Sequence, residues 1–297
     1  MHSSPTDLSI ACAAAQKAAP ILRSHFGNLR DIHEKSDAKG DSKGLVTEAD
    51  TAAEQAILHH LRAHSTHPIL SEESGFSHHL SSLSGYQPTN APPTDHSTEN
   101  PSKRSPDGLD ATTPYWIVDP LDGTTNFARG LPWFAISIAL LRGSEVLLGV
   151  VLDPLRDEIF CAVQGGGAFC NEKPLQRSNI RTKQPVLFLN HGYAPEDRAR
   201  FAEAARRLVP EASLRMLGPS ALEICYAARG EVDAFVCSGD EIWDFAAGML
   251  IATEAGCIAS DWAGRPWASV HPSFVLIAAP WLHPTLITKL ADLQPTP

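Results

Sequence analysis

Asp119 and Asp122 stand three residues apart, separated by Pro120 and Leu121, at the end of the apolar run 115–118. The run reads as a buried strand that delivers two carboxylates at its carboxyl end. Gly123, Thr124, Thr125 and Asn126 follow. This order suits a hard cation and an anion held together. Carboxylate and carbonyl oxygens ligate the cation, and free backbone N–H groups at a helix start hold the anion. Asp-Pro and Asp-Gly are also ordinary turn signals, and the alternating ligands of an EF-hand do not fit. The stretch takes its meaning from acids elsewhere in the chain.

Those acids sit at the ends of other elements. Glu72 and Glu73 leave a short apolar segment at 68–71. Asp244 falls in the first turn of a helix that starts at 242 and stops at Gly256, where the helix dipole already favours a carboxylate. Asp50 lies three residues after Thr47, the spacing of a helix cap and its acidic partner. Glu72, Asp119, Asp122 and Asp244 form the principal set, with Asp50 and Glu73 as additions. Brought together, they repel one another unless cations neutralise them. An all-oxygen set suits Mg²⁺, and no histidine or cysteine recurs among the acids to suggest zinc. Clusters that hold two or more Mg²⁺ ions point to phosphoryl chemistry.

The positioning elements follow from periodicity. Leu8, Cys12, Ala15, Ala19 and Leu22 mark a first helix, and Ala53, Ile57 and Leu61 a second. Buried strands are expected at 134–141 and 146–152, with the sheet continued at 157–163. Gly165, Gly166 and Gly167 read as a hairpin loop, because no Gly-Lys-Ser/Thr follows to make a nucleotide loop. Strands are expected at 186–190, 214–217 and 233–237, helices at 197–208 and from Ser220, and a last apolar strand at 273–282. Between about 76 and 113 Ser, Thr, Pro, His and Asn dominate, which predicts an inserted mobile loop. His78 and His79 in that loop read as exposed side chains rather than ligands.

The chain of 297 residues, 43% hydrophobic, is long enough for one large domain or two packed subdomains. The expected division is an amino-terminal part to about 183 and a carboxy-terminal part from about 184. A net charge of -10 argues against nucleic acid or an anionic membrane as the main partner. It leaves an anionic substrate open, since bound cations reverse the local field. The amino terminus has no signal-peptide pattern, and the apolar runs are too short to span a bilayer. None of the six cysteines forms a Cys-x-x-Cys pair, so reduced thiols in a cytoplasmic protein are expected.

Residues 119–127, Asp-Pro-Leu-Asp-Gly-Thr-Thr-Asn-Phe, resemble the first signature of the inositol monophosphatase family, and residues 243–248, Trp-Asp-Phe-Ala-Ala-Gly, resemble the second. Glu72-Glu73-Ser74 and the segment 46–50, Val-Thr-Glu-Ala-Asp, match the family's preceding motifs in order and rough spacing. The resemblance implies an α+β fold, a layered α-β-α-β-α sandwich. It implies two or three Mg²⁺ ions, held by Glu72, Asp119, Asp122 and Asp244 and by the Leu121 carbonyl. It assigns Asp50 and Thr124 to orienting the attacking water, and Glu73 to a water or a weaker third cation. It places phosphate at the N–H groups of Gly123 and Thr124, and the substrate's alcohol part along 218–220, with Asp122, Ser220 and Asp244 in contact. It further implies a homodimer inhibited by Li⁺.

Some positions depart from the family pattern. Inositol-specific members carry a Glu seven residues before the last Asp, where this chain has Cys237, with Asp240 and Glu241 as candidate substitutes. Gly44 stands where an Asp usually precedes the Leu-Val-Thr segment. Thr125-Asn126 favours the inositol branch over relatives that act on 3′-phosphoadenosine nucleotides. The expectation is hydrolysis of myo-inositol 1-phosphate, with fructose 1,6-bisphosphate, histidinol phosphate and 3′-phosphoadenosine 5′-phosphate as alternative substrates. A rival of another class is a non-catalytic binding protein that uses the insert to engage a partner.

Overall fold

The computed structural model describes residues 5–29, 31–36, 42–77, 112–178, 180–266 and 274–294. Helix α1 (Pro5–His25) is followed by a hairpin of β1 (Ile32–Ser36) and β2 (Ser42–Thr47), and then by α2 (Glu48–His64). The chain continues through β3 (Ile69–Ser71), β4 (Gly75–Ser77), β5 (Pro114–Asp122) and the short helix α3 (Thr124–Ala128). Next come β6 (Ala135–Arg142), β7 (Glu145–Asp153), β8 (Glu158–Val163), β9 (Ala168–Cys170) and β10 (Lys173–Leu175). These strands build an eight-stranded sheet in the order β10-β9-β8-β7-β6-β5-β3-β4. All its neighbours are antiparallel except β3 and β5.

The period of two along β5 sorts its side chains between two cores. Trp116 and Val118 pack with Ile10, Ala14 and Leu22 of α1 and Ile57 and Leu61 of α2. Tyr115 and Ile117 face the other way. Each fully buried Leu, Ile or Phe contributes about 1.5–3 kcal/mol to this packing.

A second sheet follows. Strand β11 (Val186–His191) leads to α4 (Pro195–Leu208), β12 (Ser213–Arg215), α5 (Ser220–Arg229) and β13 (Ala234–Ser238). Helix α6 (Ile242–Glu254), β14 (Ile258–Ser260), β15 (Phe274–Ala278) and α7 (His283–Leu290) complete the chain. The five strands run in the order β12-β11-β13-β15-β14. Helices α5 and α6 lie between the two sheets: Leu222, Phe245 and Ile251 share one core with Ile117 of the first sheet and Phe235 of the second. The far face of the second sheet, with Leu189, Val236 and Leu276, packs against Leu208 of α4 and Leu286 and Leu290 of α7. The layers are therefore helix, sheet, helix, sheet, helix, as expected. The small residues of α6 let it sit close to the first sheet; a Cβ on Gly149 of β7 would lie 2.5 Å from the Ala247 carbonyl oxygen.

Three expectations change. The apolar segment 273–282 holds a strand only to Ala278, and the chain then turns into α7. Proline near its start suits that helix, because the first turn needs no intrahelical N–H donor. The insert expected at about 76–113 loses Phe76 and Ser77 to β4, which pairs with β3; residues 78–111, with His78 and His79, lie outside the described residues. The last strand pair gains β14, beside β15. The six cysteines are free thiols. No helix among the described residues is long and apolar enough to cross a membrane.

Candidate active site

Two residues three apart on a regular strand point to opposite faces. A bulge between Asp119 and Asp122 on β5 changes that, since Asp119 pairs with Ser137 and Asp122 with Ala135. Both carboxylates consequently turn to one side. Asp119 Oδ1 accepts the Leu121 N–H at 2.9 Å, which fixes the turn. Helix α6 brings the third acid: Ser137 Oγ donates to the Trp243 carbonyl at 2.9 Å, and Asp244 Oδ2 caps its own helix by accepting the Glu241 N–H at 2.8 Å. Asp119, Asp122 and Asp244 each offer an oxygen within 4.8 Å of the others.

Glu72 follows β3 and is held by its own N–H, which donates to the Val118 carbonyl at 3.0 Å. Its side chain meets the Asp119 carboxyl and pairs with Lys35 Nζ at 2.8 Å. Lys35 also reaches Glu73 at 2.5 Å. Lys35 is one of three lysines in its stretch, with Lys39 and Lys43, and nothing in the sequence marks which of them meets the acids.

Asp50 does two jobs with its two oxygens. Oδ2 accepts from the Thr47 N–H at 2.8 Å and closes the capping box of α2. Oδ1 accepts from Thr124 Oγ1 at 2.9 Å. Thr124 Oγ1 also lies 3.0 Å from the Leu121 carbonyl, so its single proton has two acceptors. Gly123, with φ 92, sits in the left-handed region and starts α3, and the first helix bond runs from Phe127 N–H to the Gly123 carbonyl. The N–H groups of the preceding turn stay available.

The opposite wall comes from the second sheet and α5. Ala221 N–H donates to Asp122 Oδ2 at 2.7 Å, joining the walls at their centre. Asn126 Nδ2 donates to the Leu217 carbonyl at 2.6 Å and ties α3 to the segment 217–220. That segment is built around Glu223, which is 0% exposed. Its carboxylate accepts from Leu217 N–H at 2.6 Å, Gly218 N–H at 3.2 Å and Asn190 Nδ2 at 2.9 Å. A single acid inside the apolar stretch 220–228 was a readable signal, because a buried acid requires donors. Ser220 is buried, and its side chain bonds Asp240, as does Cys237. Asp240 Oδ2 and Asn190 Oδ1 have no hydrogen-bond partner among the described residues.

The field is strongly negative. Burial, then Glu72, Asp122 and Asp244, raise the Asp119 carboxyl well above its ordinary range. Burial raises Asp122, aided by Asp240 and Glu72 and opposed by the Ala221 N–H. Burial, then Asp240, Asp122 and Glu72, raise Asp244. Glu73 is pushed up to about 7 by burial and by Glu72, against Lys35. Burial disfavours the Lys35 ammonium, yet Glu72 and Glu73 outweigh it and raise its pKa. Asp240 is pushed up to about 6 by burial, with Cys237 and Ser220 holding it back. A hard divalent cation fits these groups: the donors are all oxygen, they converge, and the lysine beside them neutralises Glu72 and Glu73 rather than the three aspartates. A groove of about 500 Å³ lies elsewhere, between α4 and α7, lined by Leu208, Trp281 and Leu286. It contains none of these acids, and convergence of carboxylates is the better marker of chemistry.

The chain is similar to known proteins along nearly its whole length. The profile of the inositol monophosphatase family matches residues 5–294. A "Nus factor SuhB" from Pseudomonas aeruginosa is 36% identical over 264 residues, covering 86% of each chain. An "Inositol-1-monophosphatase" from Mesorhizobium japonicum is 34% identical over 265 residues, again covering 86% of each. The crystal structure of extragenic suppressor protein suhB from Bartonella henselae superposes with a TM-score of 0.77 at 28% identity, covering 95% of this chain and 97% of that one. With the layered fold, the acids on β5 and α6 and a match across nearly its whole length, the chain belongs to the inositol monophosphatase family.

Proposed function

We propose that this chain is a Mg²⁺-dependent phosphate monoester hydrolase that converts myo-inositol 1-phosphate to myo-inositol and phosphate. The observation that carries the reading is the meeting of Asp119, Asp122 and Asp244 within 4.8 Å, next to the 2.9 Å bond between Thr124 and Asp50. Glu72, Asp119, Asp122 and Asp244, with the Leu121 carbonyl, would hold two or three Mg²⁺ ions. Bound Mg²⁺ supplies positive charge that acidifies water and steadies a leaving alkoxide.

The chain's own groups do the rest. Thr124 Oγ1 donates its proton to Asp50, which leaves its lone pairs to orient water and accept from it. Asp50 is held in place by Thr47 and buried, so it cannot swing away from that proton. Glu73, paired with Lys35, would hold a water or a further cation. The N–H groups of Gly123 and Thr124 cradle the phosphate and stabilise its developing charge. Asp122, Ser220 and Asp244 contact the alcohol part, on the segment 218–220 that Glu223 braces. The reading includes Li⁺ inhibition, a homodimer and a cytoplasmic location.

Phosphate release from myo-inositol 1-phosphate, fructose 1,6-bisphosphate, histidinol phosphate and 3′-phosphoadenosine 5′-phosphate, each with Mg²⁺, tests it. The inositol ester should give the highest kcat/KM. Equal or better turnover of another ester would move the substrate while keeping the hydrolase. A second reading, a protein that binds a macromolecular partner, is favoured by relatives that carry the name Nus factor. Turnover of no ester in the panel would favour that reading.

A further inference from the structure

Tyr193 follows β11 and is 49% exposed, and the end of its ring lies close against Gly44. A Cβ built on Gly44 would lie 2.6 Å from Tyr193 Oη and 2.9 Å from Cζ. Gly44 lies on β2, directly opposite Lys35 in the β1–β2 pairing, and has φ 102. A side chain there is excluded twice, by the backbone and by the phenol. The absence of the family's aspartate from this position therefore has a structural counterpart in Tyr193.

The loop that carries Tyr193 is clamped on its other side. Gly192 N–H donates to the Ser238 carbonyl at 2.5 Å, and Gly192 and Gly239 approach so closely that neither has room for a Cβ. That contact joins Tyr193 to the turn leading into α6 and Asp244. The phenol also feels the site: burial, then Asp244 and Glu72, raise its pKa, so it stays a neutral hydroxyl. The ring thus reaches from the loop after β11 to the hairpin that carries Lys35, the residue that pairs with Glu72 and Glu73.

We propose that Tyr193 is a specificity-determining residue: its ring forms the outer wall of the pocket for the alcohol part of the phosphomonoester and selects alcohols with a carbocyclic or sugar-like ring over open-chain ones. The proposal rests on the hydrolase reading above. An aromatic side chain gives a ligand a large apolar face, and here the end of the ring abuts Gly44. The C–H face of a cyclic polyol matches it, whereas an open-chain alcohol presents no continuous face.

Steady-state kinetics with myo-inositol 1-phosphate and glycerol 2-phosphate at saturating Mg²⁺ test this on the full chain. Tyr193→Ala should raise KM for the cyclic ester about tenfold. KM for glycerol 2-phosphate should change less than about twofold, and kcat for either ester less than about threefold. Tyr193→Phe should keep the preference because it keeps the ring. Tyr193→Leu, which retains bulk, should lose it, and serves as the test if the alanine variant fails to fold. The Mg²⁺ concentration for half-maximal rate should not move in any variant. Equal losses on both esters, an unchanged preference, or a shifted Mg²⁺ requirement would overturn the proposal. Wild-type protein inactive on both esters would remove the hydrolase reading and this proposal with it. An active wild type whose Tyr193→Ala variant keeps its preference removes this proposal alone.

Discussion

The two walls of the site are built differently. The wall formed by β3, β5, α2 and α3 carries its chemistry in local motifs. Asp119, Leu121, Asp122 and Thr124 lie within six residues, and Asp50 is placed by the cap of its own helix. The wall formed by β11, α5 and the turn before α6 is assembled from distant pieces. Asn190, Glu223, Asp240 and Tyr193 meet there through hydrogen bonds and a glycine contact, not through spacing. On the proposed reading the first wall would hold the groups for hydrolysis, which many substrates share. The second would face the alcohol, and Cys237, whose side chain bonds Asp240, belongs to it. The contrast teaches that groups placed by local motifs and groups assembled by the fold form separate surfaces that touch at the Ala221–Asp122 bond.

Substitutions should separate the walls by size of effect. Asp122→Asn removes charge from the acid cluster and should lower kcat for phosphate release by about a thousandfold. Activity near the wild-type level would deny Asp122 its role. Thr124→Ala breaks the link to Asp50 and should lower kcat by about a hundredfold with KM little changed. A rise in KM alone would make Thr124 a binding group. Glu223→Ala belongs to the other wall. It strands the donors of Leu217, Gly218 and Asn190, so Tm should fall by about 5–10 °C. KM should rise a few-fold while kcat holds; a collapse of kcat would mean that the walls are not separable.

The smallest effect is on pH. Glu73 is pushed up to about 7 in the fold, and Asp119, Asp122 and Asp244 are raised as well. A carboxyl with a raised folded pKa holds its proton more tightly folded than unfolded, so stability falls as pH rises through the folded value. In EDTA, Tm should therefore climb by about 3–5 °C from pH 8 to pH 5. Mg²⁺ should abolish the climb by neutralising the carboxylates. A metal-free Tm that falls over this range would place the acids in a less repulsive setting.

Legibility in the sequence followed the same division. The Thr47–Asp50 cap is a short-range pattern that stands in the structure as the spacing implied, whereas Asp119 and Asp122 reach one side only through a bulge that their spacing does not declare. The five layers followed from the family resemblance, and apolar periodicity placed most of the helices and strands within them. What escaped was long-range. Lys35, one of three lysines in its stretch, and Tyr193 carry no local pattern, and only the folded chain sets the first beside Glu72 and the second beside Gly44. Helix α7 was hidden because Leu282 and Leu286 continue the apolar run of β15 beyond Pro280. Strands β4 and β14, three residues each, are too short for alternation to declare them.

Phosphate release from myo-inositol 1-phosphate by metal-stripped protein, followed as Mg²⁺ is added back, tests the account at its centre. The convergence of acids on β5 and α6 predicts no release without Mg²⁺ and a saturable rise as it is restored. Release that is as fast in EDTA as in Mg²⁺, or none at any Mg²⁺ concentration, would contradict it.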